Sequence, residues 1–295
     1  MSTNRAVIEV GEHVGGYRIE GILGCGGMGR VYLARNVESG RVVALKLVNP
    51  ERQNTEDLLR EAQLAASLDH PSICRIHGVG YHGADPFLVM EHVRGIPLSK
   101  AIRGTHALPF ATVRRHALAI LSAIGHAHLR GIIHGDLKSS NVMVGPDGHI
   151  TILDFGLAVR LDAAHGFGED YDTTRLSPCS GAAGTMPYMA PEILRGQPPS
   201  VASDLWALGV LLFEMGTGRR PFSGKTPYEL AANILSDQRT AMQTALDERW
   251  RPIVDRCLSL DPAGRYPTVC EMRNAVSVLP RRRPSQVENH ARLAV

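Results

Sequence analysis

Several features that mark large classes of protein are missing from this chain of 295 residues. Its five cysteines, Cys25, Cys74, Cys179, Cys257 and Cys270, form no CxxC pair and no zinc spacing. An odd, unpatterned set argues for reduced thiols instead of a disulfide framework, and against a structural zinc site. The 13 histidines are scattered in the same way. No apolar run approaches the roughly 20 residues that a bilayer-spanning helix needs. The longest, around Ala207 to Phe213, is far shorter. The opening MSTNRAVIEVGEHVGG carries charges throughout and has no signal-peptide core, so we expect a soluble, cytoplasmic chain with no membrane span. Net charge is only +3, which gives no reason to expect a nucleic-acid partner. No internal repeat is present. What remains is an ordinary globular composition, 44% hydrophobic and 21% charged, long enough for one large domain or two lobes around a cleft.

The N-terminal third has the period of strands. YRIEGILG, GRVYLARN and RVVALKLV alternate and turn at glycines, which predicts three antiparallel strands. TEDLLREAQLAASL, residues 55–68, switches to helical spacing, with Thr55 as N-cap and acidic residues in the first turn. Pro71 disfavours helix in the residue before it. Two more strand-like runs, ICRIHGVG and PFLVMEHV, lead to a short connection near 91–96. Beyond it the chain is mostly helical. Residues 110–130 predict a long amphipathic helix, NVMVG and HITILD flank a Pro-Asp-Gly turn, and helices dominate from 203 to 279. Residues 157–186 read as a loop, and PRRRPSQVENHARLAV as a basic, polar, disordered tail.

The chemistry lies in short stretches spread along the chain. LGCGGMGRV contains GxGxxGxV as Gly24, Gly26, Gly29 and Val31. Glycines let a backbone approach a phosphate closely, although a flexible hairpin turn explains such a run just as simply. It lacks the Gly-Lys-Ser/Thr of a P-loop, and it sits between two strands instead of before a helix, unlike a dinucleotide site. Lys46, in VALK on the next strand, can face a cleft and pair with phosphate oxygens, or can be a solvated surface charge. Glu61, mid-helix, is the candidate carboxylate to hold it. Asp154, in ILDFGLA, follows a short strand and offers a hard oxygen ligand for Mg²⁺. In HGDLKSSN, Asp136 can orient a hydroxyl and accept its proton, Lys138 can neutralise a transferring phosphoryl, and Asn141 can hold a second Mg²⁺.

In that order these stretches, closed by APE at Ala190 to Glu192, match the signature set of protein kinases. The sequence resembles the eukaryotic-like serine/threonine protein kinases of bacteria over roughly residues 17–279. That resemblance implies an α+β, bilobal protein kinase fold, with a small antiparallel sheet lobe carrying one helix (17–93) and a larger, mainly helical lobe (94–280). Residues 1–16 would be an extension and 281–295 a tail. It implies ATP and Mg²⁺ as cofactors and transfer of the γ-phosphoryl to Ser/Thr hydroxyls of protein substrates, with autophosphorylation in the 157–186 loop and a signalling role. It leaves the oligomeric state open, a dimer included. By position it assigns catalytic roles to Asp136, Lys138, Lys46 and Glu61. It assigns nucleotide contacts to Leu23, Gly24, Gly26, Gly29, Val31, Ala44, Lys46, Met90, Glu91, Val93 and Met143, and metal contacts to Asn141 and Asp154. Met90 would be the gatekeeper and Glu91 to Val93 the hinge. Asp204 would brace the catalytic loop, and Glu192 with Arg265 would fasten the activation segment. Lys138 and Thr185 match the Ser/Thr branch.

One position departs from the pattern. Gly135 stands where the family places an Arg that pairs with a phosphate on the activation segment. A phosphate on Thr173, Thr174, Ser177 or Ser180 would lack that partner, so activity is expected not to depend on this latch. His-Gly-Asp-x-x-x-x-Asn also resembles antibiotic and choline phosphotransferases, which act on small molecules. Lys138, DFG, GTMPYMAPE and the helix beginning at Asp204 belong to protein kinases. A non-catalytic scaffold is the other alternative. Lys46, Asp136 and Asp154, the residues such proteins usually lose, are all present.

Overall fold

A computed structural model describes residues 8–26, 29–48, 55–83, 85–105, 107–154, 159–160, 184–239 and 246–280. Residues 1–7, most of the 157–186 loop and the tail 281–295 therefore lie outside the described residues. The N-terminal strands are β1 (His13–Val14), β2 (Tyr17–Gly26), β3 (Gly29–Asn36), β4 (Val42–Val48), β5 (Ile76–His82) and β6 (Asp85–Glu91). They form one antiparallel sheet in the order β1-β2-β3-β4-β6-β5. Strand alternation sends Ile19, Tyr32, Val43, Leu45, Phe87 and Val89 to one buried face. On the other face Leu88 is buried with Ala62 of α1 (Thr55–Ala66). The 1–16 extension contributes β1, whose Val14 is buried in the sheet's core.

The remainder is helical apart from short strands: β7 (Ile96–Pro97), α2 (Leu98–Thr105), α3 (Phe110–His128), β8 (Ile132–Ile133), β9 (Val142–Val144), β10 (Ile150–Ile152), β11 (Val159–Arg160), α4 (Pro191–Leu194), α5 (Val201–Thr217), α6 (Pro227–Leu235), α7 (Arg251–Cys257) and α8 (Val269–Ser277). The bilobal kinase fold expected from the sequence is the one observed. In α3 the buried residues Val113, Ala117, Ile120, Leu121 and Ile124 recur at helical spacing. α5 differs, because it is apolar almost all round and lies in the core, surrounded by other elements. Ser200 and Ser203 cap its start reciprocally, and Gly218 in the left-handed conformation ends it. Trp206, fully buried on α5, stacks on Phe222 at 5.5 Å between centroids. None of the described helices is long and apolar enough to cross a membrane. The four described cysteines are free thiols, and Cys179 lies outside the described residues.

Two features tie sheet to helices. Ile73 forms a parallel bridge with Ile152, and the N–H of Cys74 donates to the Ile152 carbonyl at 2.8 Å. The chain crosses between lobes at Gly95, with φ 147°. A Cβ there would stand 2.2 Å from the Val144 carbonyl oxygen, so only glycine lets the connection lie against β9.

His116 on α3 is buried, and neither ring nitrogen has a hydrogen-bond partner among the described residues. Burial, helped by nearby Arg115, pulls its pKa from the ordinary 6.5 down to about 4. The unfolded chain therefore binds a proton between these values that the folded chain refuses. Stability present above pH 6.5 is lost as pH falls toward 4, by about 3 kcal/mol from this one group. His70, His77, His92 and His126 shift in the same direction through partial burial, so the difference between proteins is the readout. Urea denaturation of His116→Leu from pH 7 to pH 4 is expected to show a shallower loss of stability than wild type. Equal slopes would exclude His116 as a source.

Candidate active site

The catalytic-loop candidates follow β8, and one carboxylate arranges them. Asp204, at the start of α5 and 1% exposed, accepts the His134 N–H at 2.9 Å on Oδ2 and the Gly135 N–H at 3.0 Å on Oδ1. His128 Nε2, from the last turn of α3, adds a third contact at 2.7 Å to Oδ2. Burial alone would raise the Asp204 pKa, but the bond and charge of His128, with His134, outweigh it and hold the group below 3.8. Gly135 has φ 75°, a left-handed conformation that penalises a side chain. His134 is fully buried, and its Nδ1 accepts the Asp136 N–H at 3.2 Å. Nε2 is then the protonated nitrogen, donating to the Leu153 carbonyl at 3.3 Å.

Asp136 is 4% exposed. Its Oδ2 accepts from Lys138 Nζ at 2.6 Å and from Asn141 Nδ2 at 3.2 Å. Its Oδ1 is buried with no hydrogen-bond partner among the described residues. Such an orphaned acceptor costs free energy that an incoming donor would recover. Lys138 Nζ also donates to Thr185 Oγ1 at 2.7 Å. Beside this group lies a small recess lined by Asp136, Thr185, Met189, Ile193 and Ala207 among others.

The β9–β10 hairpin brings the metal-ligand candidates together. Val142 pairs with Ile152, so the residue before β9 meets the residues after β10, and the Leu153 N–H donates to the Asn141 carbonyl at 2.7 Å. Asn141 Nδ2 is committed to Asp136, which leaves Oδ1 as its outward acceptor. Asp154 sits at φ 60°, a strained conformation for a non-glycine residue, and its Oδ1 receives Lys46 Nζ at 2.6 Å. One carboxylate and one amide oxygen suit Mg²⁺, which keeps several waters or phosphate oxygens of its own.

The nucleotide-contact candidates share one side of the sheet. Val31 is paired with Lys46, and Ala44 with Met90, and cross-strand partners face the same way. Lys46 is 4% and Ala44 5% exposed. Above them Gly24 pairs with Val31, and Gly26 with Gly29. A Cβ on Gly24 would meet nothing within 4 Å among the described residues. Leu23 is exposed beside it. The N–H of Glu91 is taken by the Arg75 carbonyl at 2.9 Å, while the backbone of Val93 makes no hydrogen bond among the described residues. Met143 lies on β9, paired with Thr151 and Pro97. Glu61 lies on α1, but its side chain falls outside the described residues, as do Phe155 and Gly156.

A profile of the protein kinase domain matches residues 17–276. The chain belongs to the protein kinase family. It is 33% identical to the serine/threonine-protein kinase PrkC of Bacillus subtilis over 276 residues, covering 89% of this chain and 40% of PrkC. It is 30% identical to the probable serine/threonine-protein kinase PknB of Bifidobacterium longum, covering 94% of this chain and 41% of that protein. It is 32% identical to the serine/threonine-protein kinase PknA of Mycobacterium tuberculosis, covering 95% of this chain and 66% of that protein. The chain spans less than two thirds of the length of each of these relatives.

In this kinase domain Glu192 and Arg265 form a bidentate pair at 2.6 and 2.8 Å, both side chains buried. Arg265 also donates to the Ser259 and Ala202 carbonyls at 2.9 and 2.8 Å, so four hydrogen bonds hold its buried guanidinium. Four participants were not anticipated from sequence: His128, Ser139, Tyr188 and Glu214. His128 stands among basic residues in the last turn of α3, which is their favoured place next to the helix dipole, so its partner was not distinguishable there. Ser139 Oγ contacts Tyr188 OH at 2.8 Å, and Tyr188 donates to Glu214, links that no local pattern announces.

Asp204→Asn would replace an acceptor with an amide while the His134 and Gly135 N–H groups stay buried. A loss of about 2–4 kcal/mol in folding stability is expected, read by urea denaturation at pH 7. A loss below about 1 kcal/mol would mean that the loop can be held without this carboxylate.

Proposed function

We propose that the chain is a serine/threonine protein kinase that transfers the γ-phosphoryl of ATP to hydroxyls of protein substrates. The observation that carries this is the unpartnered Oδ1 of Asp136, whose other oxygen is held by Lys138 and Asn141. A serine or threonine hydroxyl reaching that atom finds an oriented acceptor for its proton. Lys138 stands beside it, carried between Asp136 and Thr185, to offset the charge of the transferring group. Lys46 holds the α- and β-phosphates, with Glu61 as its brace. Val31, Ala44 and Met143 enclose the adenine, and the backbone from Glu91 to Val93 reads its edge. The glycines at 24, 26 and 29 let the hairpin close over the phosphates. Asp154 and Asn141 would hold Mg²⁺, which neutralises phosphate charge when bound. Positioning and electrostatics supply most of the rate, because the protein makes no covalent bond.

The kinase domain is taken as residues 17–280, with its lobes meeting near 93–94, and the protein as a cytoplasmic signalling enzyme that autophosphorylates in the 157–186 loop. The strongest support is the family membership together with the convergence of Lys46, Asp136, Lys138, Asn141 and Asp154 from three separate stretches. Incubation with labelled ATP, Mg²⁺ and a generic basic protein is expected to give phosphoserine and phosphothreonine. Asp136→Asn should lower turnover about 10²–10⁴-fold. Label appearing only on a small-molecule acceptor would favour the phosphotransferase alternative, and nucleotide binding without transfer would favour a scaffold.

The loop at Gly135 offers no side chain to a phosphate. Replacing Thr173, Thr174, Ser177 and Ser180 together by alanine should therefore leave most of the activity. Near-complete loss, restored by acidic replacements, would mean that another cation takes up the latch.

A further inference from the structure

The elements that border the 134–141 loop expose charges of mostly one sign. α2 packs on the Ser139–Asn141 turn, and the Thr185–Tyr188 turn meets the loop through the bond of Lys138 to Thr185. α6 packs in turn on Met186–Tyr188 and on α4. α2 contains no acidic residue, and Lys100 stands exposed on it. Arg195 is exposed at the end of α4, Arg219 in the loop that follows α5, and Lys225 just before α6. None of these four makes an ion pair with a described residue.

The described carboxylates of the same region are already engaged. Glu214 is 7% exposed and gives Oε2 to the Tyr188 hydroxyl. Its Oε1 faces Arg220, whose Nε is 3.7 Å away and whose guanidinium lies 5.4 Å from the Tyr188 ring centre. The Arg220 side chain is 35% exposed, so it covers the carboxylate and presents its own charge to solvent. Glu229 is exposed on α6, where its Oε2 takes the Lys225 N–H at 2.6 Å and the helix dipole favours its charge. Glu192 is buried against Arg265. A cationic side chain arriving beside the loop therefore meets like charges. An anionic one finds several cations over the length of a short peptide, and such complementarity steers association and rejects the opposite sign.

We infer that the acceptor segments this protein selects carry aspartate and glutamate around the hydroxyl, and that Arg219, Arg220 and Lys225 determine that choice. Arg220 acts twice: it attracts the acidic flank, and it closes Glu214 to an arginine or lysine. Phosphate transfer rests on the proposed kinase activity, whereas the preference in binding does not, so the two are measured separately. Three peptides share one length and one acceptor serine and differ in their flanks: Asp and Glu, Asn and Gln, or Arg and Lys. Copies with alanine for the serine are labelled for fluorescence anisotropy without nucleotide. Arg219→Gln with Lys225→Gln is prepared beside wild type and Arg220→Gln. Arg219 and Lys225 are exposed, so this pair of replacements leaves folding intact. Arg18→Gln with Arg273→Gln removes the same net charge from β2 and from α8, which packs on α3 and α7.

Wild type is expected to bind the acidic alanine peptide about tenfold more tightly than the basic one, with kcat/KM in the same order. One exposed ion pair is worth at most about fivefold, so that ratio needs several acting together. Salt at about 1 M should narrow it to within about threefold, because the Debye length falls to about 3 Å. Replacing Arg219 and Lys225 should narrow it similarly, while replacing Arg18 and Arg273 should leave it within about twofold of wild type. Arg220→Gln should weaken the acidic peptide and strengthen the basic one by about threefold each, as Glu214 loses its cation. No gain on the basic peptide would overturn the role of Arg220. Equal affinities for the three peptides, a preference for the basic one, or equal effects of the two double variants would overturn the inference as a whole. Acidic preference in binding with no phosphate transferred to any peptide would refute the kinase activity and leave the selective surface standing. Transfer to all three at equal kcat/KM would leave the kinase activity standing and overturn the selection.

Discussion

Two consecutive backbone N–H groups, those of His134 and Gly135, converge on the carboxylate of Asp204, and the rest of the active centre hangs from that contact. A buried carboxylate is costly unless it is surrounded by donors, and here the loop backbone and His128 are those donors. The interaction is mutually enforcing. The loop takes its path because Asp204 needs partners, and Asp204 stays charged because the loop supplies them. From the bent loop follow the orientation of His134, the N–H of Asp136 upon its ring, and an Asp136 oxygen that no donor among the described residues reaches.

α5 does more than fill the core. Its first turn carries Asp204 beneath the catalytic loop, and its later turns carry Glu214 beneath the Tyr188 turn. One rigid helix therefore positions both the 134–141 loop and the Tyr188 turn. The Glu192–Arg265 pair fastens the same region a third time, from beyond the APE stretch. Three ionic or charge-assisted anchors in an apolar core cost stability in desolvation, and what they return is geometric definition. The Lys46–Asp154 pair couples the N-terminal sheet to the strained residue after β10.

Much of this was legible beforehand. Strand alternation located the sheet, the glycine hairpin and Lys46. The helical period located α1 and α3, the latter within a few residues of its observed end at His128. The motif residues Asp136, Lys138, Asn141 and Asp154 were recognisable because their spacing is local and their chemistry specific. Lys46 was expected to answer to Glu61, whose side chain lies outside the described residues, and its pairing with Asp154, 108 residues away, was not foreseen. The Ser139–Tyr188 bond spans 49 residues and the Tyr188–Glu214 bond 26, and neither separation has a period or a motif.

By itself, the sequence determined which residues could do chemistry, where strands and helices begin, and that position 135 carries no side chain. These are local properties, set by side-chain type, by turn preference and by the two- and 3.6-residue periods of the backbone. The tertiary structure decided which oxygen of Asp136 is left unpartnered, which donors surround Asp204, and that a serine beside Lys138 is wired to α5. Those outcomes depend on burial and on contacts between distant segments, because only a packed interior removes water and obliges each polar group to find a partner.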